Sequence, residues 1–348
     1  LLQVVAGINL KSLHPRVWDE SSAYYLADLR AVMISYADFF RNAGARKRAM
    51  DMGLHTYLQV PAKTKIYLDN GAFYFLGRSG DTPKEDYEEF VTHAKPDWWP
   101  IPQDFIPTPY MTSDEQEHCF QKTMDMNNAY EHGGFVPVIH ICRYLNDYIV
   151  AIQASERLSM KQTIAIGGIV PNLLRAPKAM PYDEILTALK AIRHTFANKH
   201  VHIFGIGGTA TLHIAGLLRI DSADSSGWRN RAARGIVQLA GKGDRVVADL
   251  GKWRGRQPNE EEWEMLDSCR CPACQAFGVA GLKADKSFGF SNRATHNLWI
   301  LLKESHWIEE QLQNETYAKN YQAYLDNTIY LPLIERLVRM PAFPKRIE

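Results

Sequence analysis

"QTIAIGGIVPNLLRAPKAMPYDEILTALKAIRHTFANKHVHIFGIGG" (162–208) decides how the chain is read. It opens on an apolar run ending in paired glycines, passes through the amphipathic stretch 182–199, and closes on a second apolar run ending in Gly205, Gly207 and Gly208. Neither run alternates strictly between apolar and polar residues, which is the pattern of strands buried on both faces. A strand, a helix and a second strand in that order form the unit of a parallel sheet. Other apolar runs extend the series: 2–8, 65–69, 98–102, 134–141 and 217–224. A further helical pattern lies at 114–132, and two more follow the last run, at 294–312 and 327–340. Seven or eight such units spread over most of the chain fit a (β/α)8 barrel better than an open sheet, so an α/β barrel is the expected fold.

The 348 residues suffice for a sizeable core, and 46% hydrophobic with 23% charged residues is an ordinary globular composition. A formal charge of +1 announces no nucleic-acid partner by itself, so any such partner must meet a local basic patch. No apolar run approaches membrane-spanning length, and "LLQVVAGINL" at the start reads as a strand and not as a signal peptide. Five cysteines, three of them within 269–274, do not make a disulfide framework. A reducing, cytoplasmic setting with a metal site is the better expectation.

Several expected strands end in residues fit for chemistry: Asp69 before "NGAF", Asp104 after "PIPQ", His140, Gly167 and Gly168, Gly205 and Gly207, Asp221 and Asp224. Any one of these Gly or Asp residues would be ordinary as a turn former. Together, at the carboxyl ends of parallel strands, they occupy the place where barrel enzymes build active sites. Beyond residue 225 the texture changes to a basic segment, "WRNRAARGIVQLAGKGDR" (228–245), which reads either as a phosphate grip or as a solvated helix face. Next comes "CRCPAC" (269–274), and His296 follows Cys274 after twenty-one residues. Cys269, Cys271, Cys274 and His296 make a Cys3His set, the saturated shell of a structural Zn2+ with no position open for catalysis. Cys119 and Cys142 read as core fillers.

These residues resemble the tRNA-guanine transglycosylases and their DNA-modifying relatives. "FGIGGTATLHIAGLLRIDSADSSGWRNRAARG" (204–235) is similar to the family's run from its glycine pair to its nucleophilic aspartate. "LDNGAF" (68–73), "PIPQDF" (100–105), "VPVIH" (136–140), "AIGGI" (165–169) and "THNLW" (295–299) resemble other family segments, in the family's order. The resemblance spans about residues 65–300. It implies a barrel core over 1–248, a zinc-binding subdomain over 249–300 packed on it, and C-terminal helices over 301–348 completing it.

The implied activity is base exchange at C1′ of a nucleotide, a pentosyl transfer with retained configuration through two displacements. The resemblance makes Asp224 the nucleophile and Asp69 the general acid/base. It assigns Asp104, Phe73, His140, Gly167, Gly168, Ile169 and Asp221 to the purine, and Arg229, Arg231, Arg234 and Lys242 to phosphates. Asp104 suits guanine because a carboxylate accepts two parallel N–H bonds. Phe73 suits stacking on a flat ring. The target base must leave its stack before C1′ is reached.

Where tRNA enzymes carry Ser-Gly-Gly-Tyr-Gln and Pro-Thr-Arg segments, this chain has "DNGAF" and "SSGWRNRAARG", and it ends in helices where archaeal tRNA enzymes carry RNA-binding domains. Those departures resemble the DpdA-type DNA transglycosylases of bacteria and phages. The implied partners are therefore DNA in preference to tRNA, a free 7-deazaguanine such as preQ0, and guanine as product. A second copy of the chain or an accessory ATPase stays open as a protein partner. Two other readings stand beside this one: a tRNA enzyme of the queuosine or archaeosine pathway, and a non-catalytic zinc-containing partner subunit. The presence of both Asp69 and Asp224 favours the enzyme.

Overall fold

A computed structural model gives the fold and describes residues 2–78, 80–131, 133–173, 177–251, 254–325 and 328–340. His132 and Asn327, at the ends of two expected helices, and residues 341–348 of the expected C-terminal region lie outside the described residues. The fold is α/β. Its strands are β1 (Gln3–Gly7), β2 (Ala31–Ser35), β3 (Lys65–Asp69), β4 (Val138–His140), β5 (Thr163–Gly167), β6 (His200–Ile203) and β7 (Ser222–Ser225). They form one sheet in the order β3-β2-β1-β7-β6-β5-β4. A separate antiparallel ribbon pairs β8 (Ile236–Leu239) with β9 (Gly243–Val246). Among the described residues no helix is long and apolar enough to cross a membrane.

The chain divides into two compact units. One comprises Met33–Ile206 with Leu218–Ala223. Here β4 pairs with β5, β5 with β6 and β6 with β7, all parallel. The middle residues of β5, Ile164, Ala165 and Ile166, are fully buried, which accounts for the lack of alternation in the sequence. The amphipathic stretch at 182–199 becomes the helix Tyr182–Thr195, burying Ile185, Leu186, Leu189 and Ile192 on one face. The helix Ser113–Ala129 begins at a capping box between Thr112 and Glu115, which satisfies amides that the first turn would otherwise leave free.

The run expected as a strand at 98–102 forms no ladder. Instead residues 98–100 make isolated parallel bridges, Tyr67↔Trp98 on one side and Pro100↔Val136 on the other. Leu68 N donates to Trp98 O at 2.8 Å and Val136 N to Trp99 O at 2.8 Å. Pro100 has no N–H to give, and Pro102 follows it, so the ladder cannot lengthen. The indole of Trp98 stacks on Tyr67 with centroids 4.8 Å apart and planes 13° apart, and the His202 and Phe204 rings close the cluster.

The other unit comprises Leu1–Val32, Gly207–Leu217 and Asp224–Met340. Its axis is the 28-residue helix Lys286–Gln313, whose polar residues Asn292, Arg293, Thr295, His296, Asn297 and Glu304 are nevertheless buried. Each of the larger ones reaches a neighbour. Arg293 donates to the carbonyls of Ala232 and Leu282, at 2.9 and 2.7 Å. Glu304 accepts from His213 Nε2 at 2.7 Å and from the Tyr324 hydroxyl at 2.9 Å. A Cβ on Gly216 would lie 2.4 Å from Ile308 Cγ2, so only glycine lets the helix Thr209–Leu217 pack this closely.

Removing the indole that lies between Tyr67 and His202 leaves a large void beside the bridges. Trp98→Ala should therefore lose about 3 kcal/mol of stability, read by urea denaturation. An unchanged midpoint would mean that residues 98–100 do not contribute to holding β3 beside Val136.

Candidate functional site

β3 ends at Asp69, whose Oδ2 accepts from Gly71 N at 3.1 Å, an Asx turn that fixes the carboxylate at the strand's carboxyl end. Gly71 takes a left-handed φ of 77° and starts the helix Ala72–Leu76. The next side chain, Asn70, is buried and points the other way. Its Nδ2 donates to Asp104 Oδ1 at 2.6 Å and to Ile101 O at 3.1 Å, and its Oδ1 accepts from Ala72 N. The second oxygen of Asp104 lies 2.9 Å from His140 Nε2, at the end of β4. A buried carboxylate beside a carboxamide and an imidazole is held in one orientation.

The imidazole of His140 lies against the turn that ends β5. His140 pairs in register with Gly167, and a Cβ there would lie 2.6 Å from His140 Nδ1. Only glycine fits at 167, and Gly168 follows with φ 71°, which an L side chain would strain. His140 Nδ1 is buried and has no hydrogen-bond partner among the described residues. Asp69, Asp104, His140, Gly167 and Gly168 thus gather at the carboxyl ends of neighbouring segments of one unit. Ile169 is buried at the start of the helix Ile169–Leu173. Phe73 stands nearby in sequence with 75% of its surface exposed, an unusual position for a phenylalanine.

Asp221 stands apart from that group. It precedes β7, where its Oδ2 accepts from Val201 N at 2.8 Å and from Arg193 Nη1 at 2.9 Å. Arg193 also donates to the carbonyls of Phe196, Ala197 and Lys199. This is an ion pair that ties the amino ends of β6 and β7 to the helix Tyr182–Thr195, and it engages the carboxylate expected at the purine.

In the other unit Asp224 lies on β7, half-buried, and its carbonyl accepts from Gly207 N at 3.0 Å. A Cβ on Gly207 would lie 2.5 Å from that carbonyl, so glycine is needed for the approach. The helix Gly227–Ala232 follows, and its four expected phosphate contacts separate. Arg229 is buried, donates to His14 O and Ser12 O at 2.9 and 2.8 Å, and lies over the Trp228 and Phe290 rings. Burial pushes its guanidinium down to about 10. It therefore holds the 12–14 segment in place. Arg231 pairs with Asp244 at 2.8 Å, Lys242 with Glu261 at 3.7 Å, and Arg234 is exposed.

The cysteine cluster is a compact side-chain site in the same unit. Cys271 caps the helix Pro272–Lys283, its sulfur accepting from Cys274 N, and Pro272 fills the first helical position where no amide is needed. That turn brings Cys269, Cys271 and Cys274 to His296, with the four ligand atoms all within 4.8 Å of one another and all four residues buried. His296 Nδ1 lies 3.5, 3.7 and 3.5 Å from the three sulfurs. A tetrahedral ion with bonds of ~2.3 Å to sulfur and ~2.0 Å to nitrogen gives sulfur–nitrogen edges of about 3.5 Å, so the donor set fits a metal ion. Hydrogen bonds from Cys271 and Cys274 hold the Cys269 thiol well below its ordinary value, as a thiolate ligand requires. His296 Nε2 meets Gln238 O at 2.8 Å, which places its proton there and leaves Nδ1 free as the donor.

Two supporting residues have contacts that only the fold shows. Asn70 orients Asp104, yet it reads only as a turn residue. Asn297 accepts from Gln238 N at 2.7 Å and donates to Trp228 O and Ile236 O, tying the metal-site helix to β8 and to the helix after Asp224. No protein-family model matches the chain, and no curated protein does.

Two outcomes follow from this geometry. Cys271→Ser should lower the metal content of purified protein, measured by mass spectrometry, together with its melting temperature; full occupancy with normal melting would remove the metal reading. Glu262, beside the cluster on the helix Glu260–Asp267, is pulled down to about 2, chiefly by its hydrogen bonds from Arg245. A depressed carboxylate contributes stability that is complete above its unfolded value of about 4.3 and is lost as pH falls toward 2. Glu262→Gln should accordingly narrow its stability deficit against wild type between about pH 5 and pH 2, read by denaturation at each pH.

Proposed function

We propose that this protein is a base-exchange transglycosylase that replaces guanine in DNA with a 7-deazaguanine, built on a (β/α)8 barrel with a structural zinc. The observation that carries the reading is the Asn70–Asp104–His140 set over the Gly167–Gly168 turn. It presents a fixed carboxylate and an unpartnered buried imidazole nitrogen beside a backbone stripped of side chains. Each Asp104 oxygen keeps a lone pair after its present contact, enough to accept the N1–H and 2-amino group of a guanine edge. His140 Nδ1 would face another edge of the same ring, and the bare turn would let the ring lie close.

The barrel reading rests on residues 98–100, which bridge to both Tyr67 of β3 and Val136 just before β4. β3 and β4 are the two end strands of the seven-stranded sheet. A short eighth strand between them would close it. Zinc is the ion that a saturated Cys3His shell of thiolates and imidazole holds best, and with four protein ligands it would serve the fold and not the chemistry.

The chemistry assigned to this chain's own residues runs in two displacements. The Asp224 carboxylate attacks C1′, and the C1′–N9 bond breaks with its electron pair leaving on guanine, which takes a proton from the Asp69 carboxyl. The incoming 7-deazaguanine then attacks C1′ through N9, gives its N9 proton to the Asp69 carboxylate, and releases Asp224 from the ester. The target nucleotide must be extruded first, with Arg231, Arg234 and Lys242 as the phosphate contacts of this reading.

The test offers duplex DNA and tRNA side by side with labelled guanine or preQ0. Label should enter DNA. Asp224→Ala should abolish incorporation, and Asp69→Asn should lower it by roughly 10²–10⁴-fold. A denaturation-resistant protein–DNA adduct should form with wild type and vanish with Asp224→Ala. Incorporation into tRNA alone would reverse the choice of polymer, and turnover in Asp224→Ala would remove the nucleophile.

A further inference from the structure

Beside the cysteine cluster is a cavity of about 680 Å3 that plays no part in the chemistry above. One wall is the strand end Val246–Asp249, and Trp263 and Lys283 form another, with Arg254 and Gln257 completing it. The cavity is anchored to the metal site on two sides. Trp263 packs on the apolar cluster that contains Cys269, Cys271 and Cys274, and Lys283 ends the helix that Cys271 caps.

Its charge is net positive, with Lys283 and Arg254 against the single carboxylate of Asp249. Lys283 Nζ sits 4.2 Å from the centroid of the Trp263 ring, a cation–π contact that fixes an ammonium at the cavity wall. Neither Lys283 nor Arg254 is paired with a carboxylate among the described residues. Glu262 is engaged by Arg245 and Arg256, whereas Asp249, on the lining, gives only Oδ1 to Gly251 N and keeps its negative charge. Two cations without a carboxylate partner on the lining of a hollow that also holds an indole match a phosphate with a flat ring attached to it. The volume falls within the range of small-ligand sites, which span about 300–1,000 Å3.

We propose that this cavity seats one unpaired nucleotide of a single strand, its phosphate against Lys283 and Arg254 and its base beside Trp263. The proposal rests on the reading that the protein handles nucleic acid. Extruding a base for exchange breaks its pairing and stacking, and a second seat on the same strand would hold the opened segment while the exchange proceeds.

The probe is a fluorescein-labelled oligothymidylate, which contains no guanine and so reports binding without exchange. The double variant Lys283→Gln, Arg254→Gln should bind it at least tenfold more weakly at low salt. The slope of log K against log salt should fall by about 0.7, one single-strand phosphate contact. Trp263→Leu, checked for metal content to show that it folds, should weaken binding and leave the slope unchanged. Unaltered affinity and slope in the double variant overturn the proposal, as does an equal loss for polyglutamate, which would make the patch a general anion surface. The two readings fail separately. Guanine exchange in a double variant that still binds oligothymidylate normally would sink only the cavity. Lost oligothymidylate binding in a protein that never exchanges guanine would sink only the transglycosylase.

Discussion

Two neighbouring side chains on one helical turn hold together much of the unit that contains Asp224. His296 turns its Nδ1 to three sulfurs and its Nε2 to Gln238 O, while Asn297 takes Gln238 N and reaches the carbonyls of Ile236 and Trp228. The strand β8 thereby gives both backbone polar groups of Gln238 to a single turn of the helix Lys286–Gln313. Buried amides and carbonyls left unpaired are costly, so the ribbon has few other places to go. Trp228 belongs to the helix that follows Asp224, and its own Nε1 donates to Gly7 O at the end of β1. An ion at the cysteines would therefore do more than clip a loop, because it would fix the turn against which the backbone after Asp224 is registered.

The Asn70–Asp104–His140 group in the other unit obeys a different constraint. A buried carboxylate is tolerable only when its oxygens are met by donors, and Asp104 is met by Asn70 and faced by His140. That satisfies the side chain without saturating it, since a carboxylate accepts more bonds than it receives here. The neighbouring imidazole pays the cost of an unpartnered Nδ1 in a place where a larger residue at 167 could not fit at all.

The legible parts of the fold were those whose periodicity matched their burial. Runs 2–8, 65–69 and 162–169 contain β1, β3 and β5, the run 201–208 takes in all of β6 but its first residue, and the stretch 182–199 contains its helix. β2 went unread because Ala31–Ser35 passes without a turn into the helix Tyr36–Phe40, with Ser35 as the cap, so no punctuation sets the strand apart. The run at 217–224 was displaced for the opposite reason. Leu217 still belongs to the helix Thr209–Leu217, and the strand that follows is the polar tetrad "SADS", whose Ser222 hydroxyl is taken by His200 and His202. The cysteine set was readable by residue count alone, because few other arrangements use three cysteines and a histidine at that density.

Asp221 and Asp224 show where spacing stops being informative. Asp221 precedes the four-residue strand and Asp224 lies in it, and in a list of residues either suits a site. Three residues of strand span roughly 10 Å, however, so the two need not share surroundings. What sets Asp221 apart is Arg193, twenty-eight residues earlier in the sequence, whose guanidinium takes its carboxylate at the amino end of β7. Arg229 makes the same point among the basic residues. It occurs in a run that looks uniformly solvated, yet it is turned inward to two carbonyls of the 12–14 segment. A sequence records which charges exist, whereas their roles depend on which partners the fold gives them.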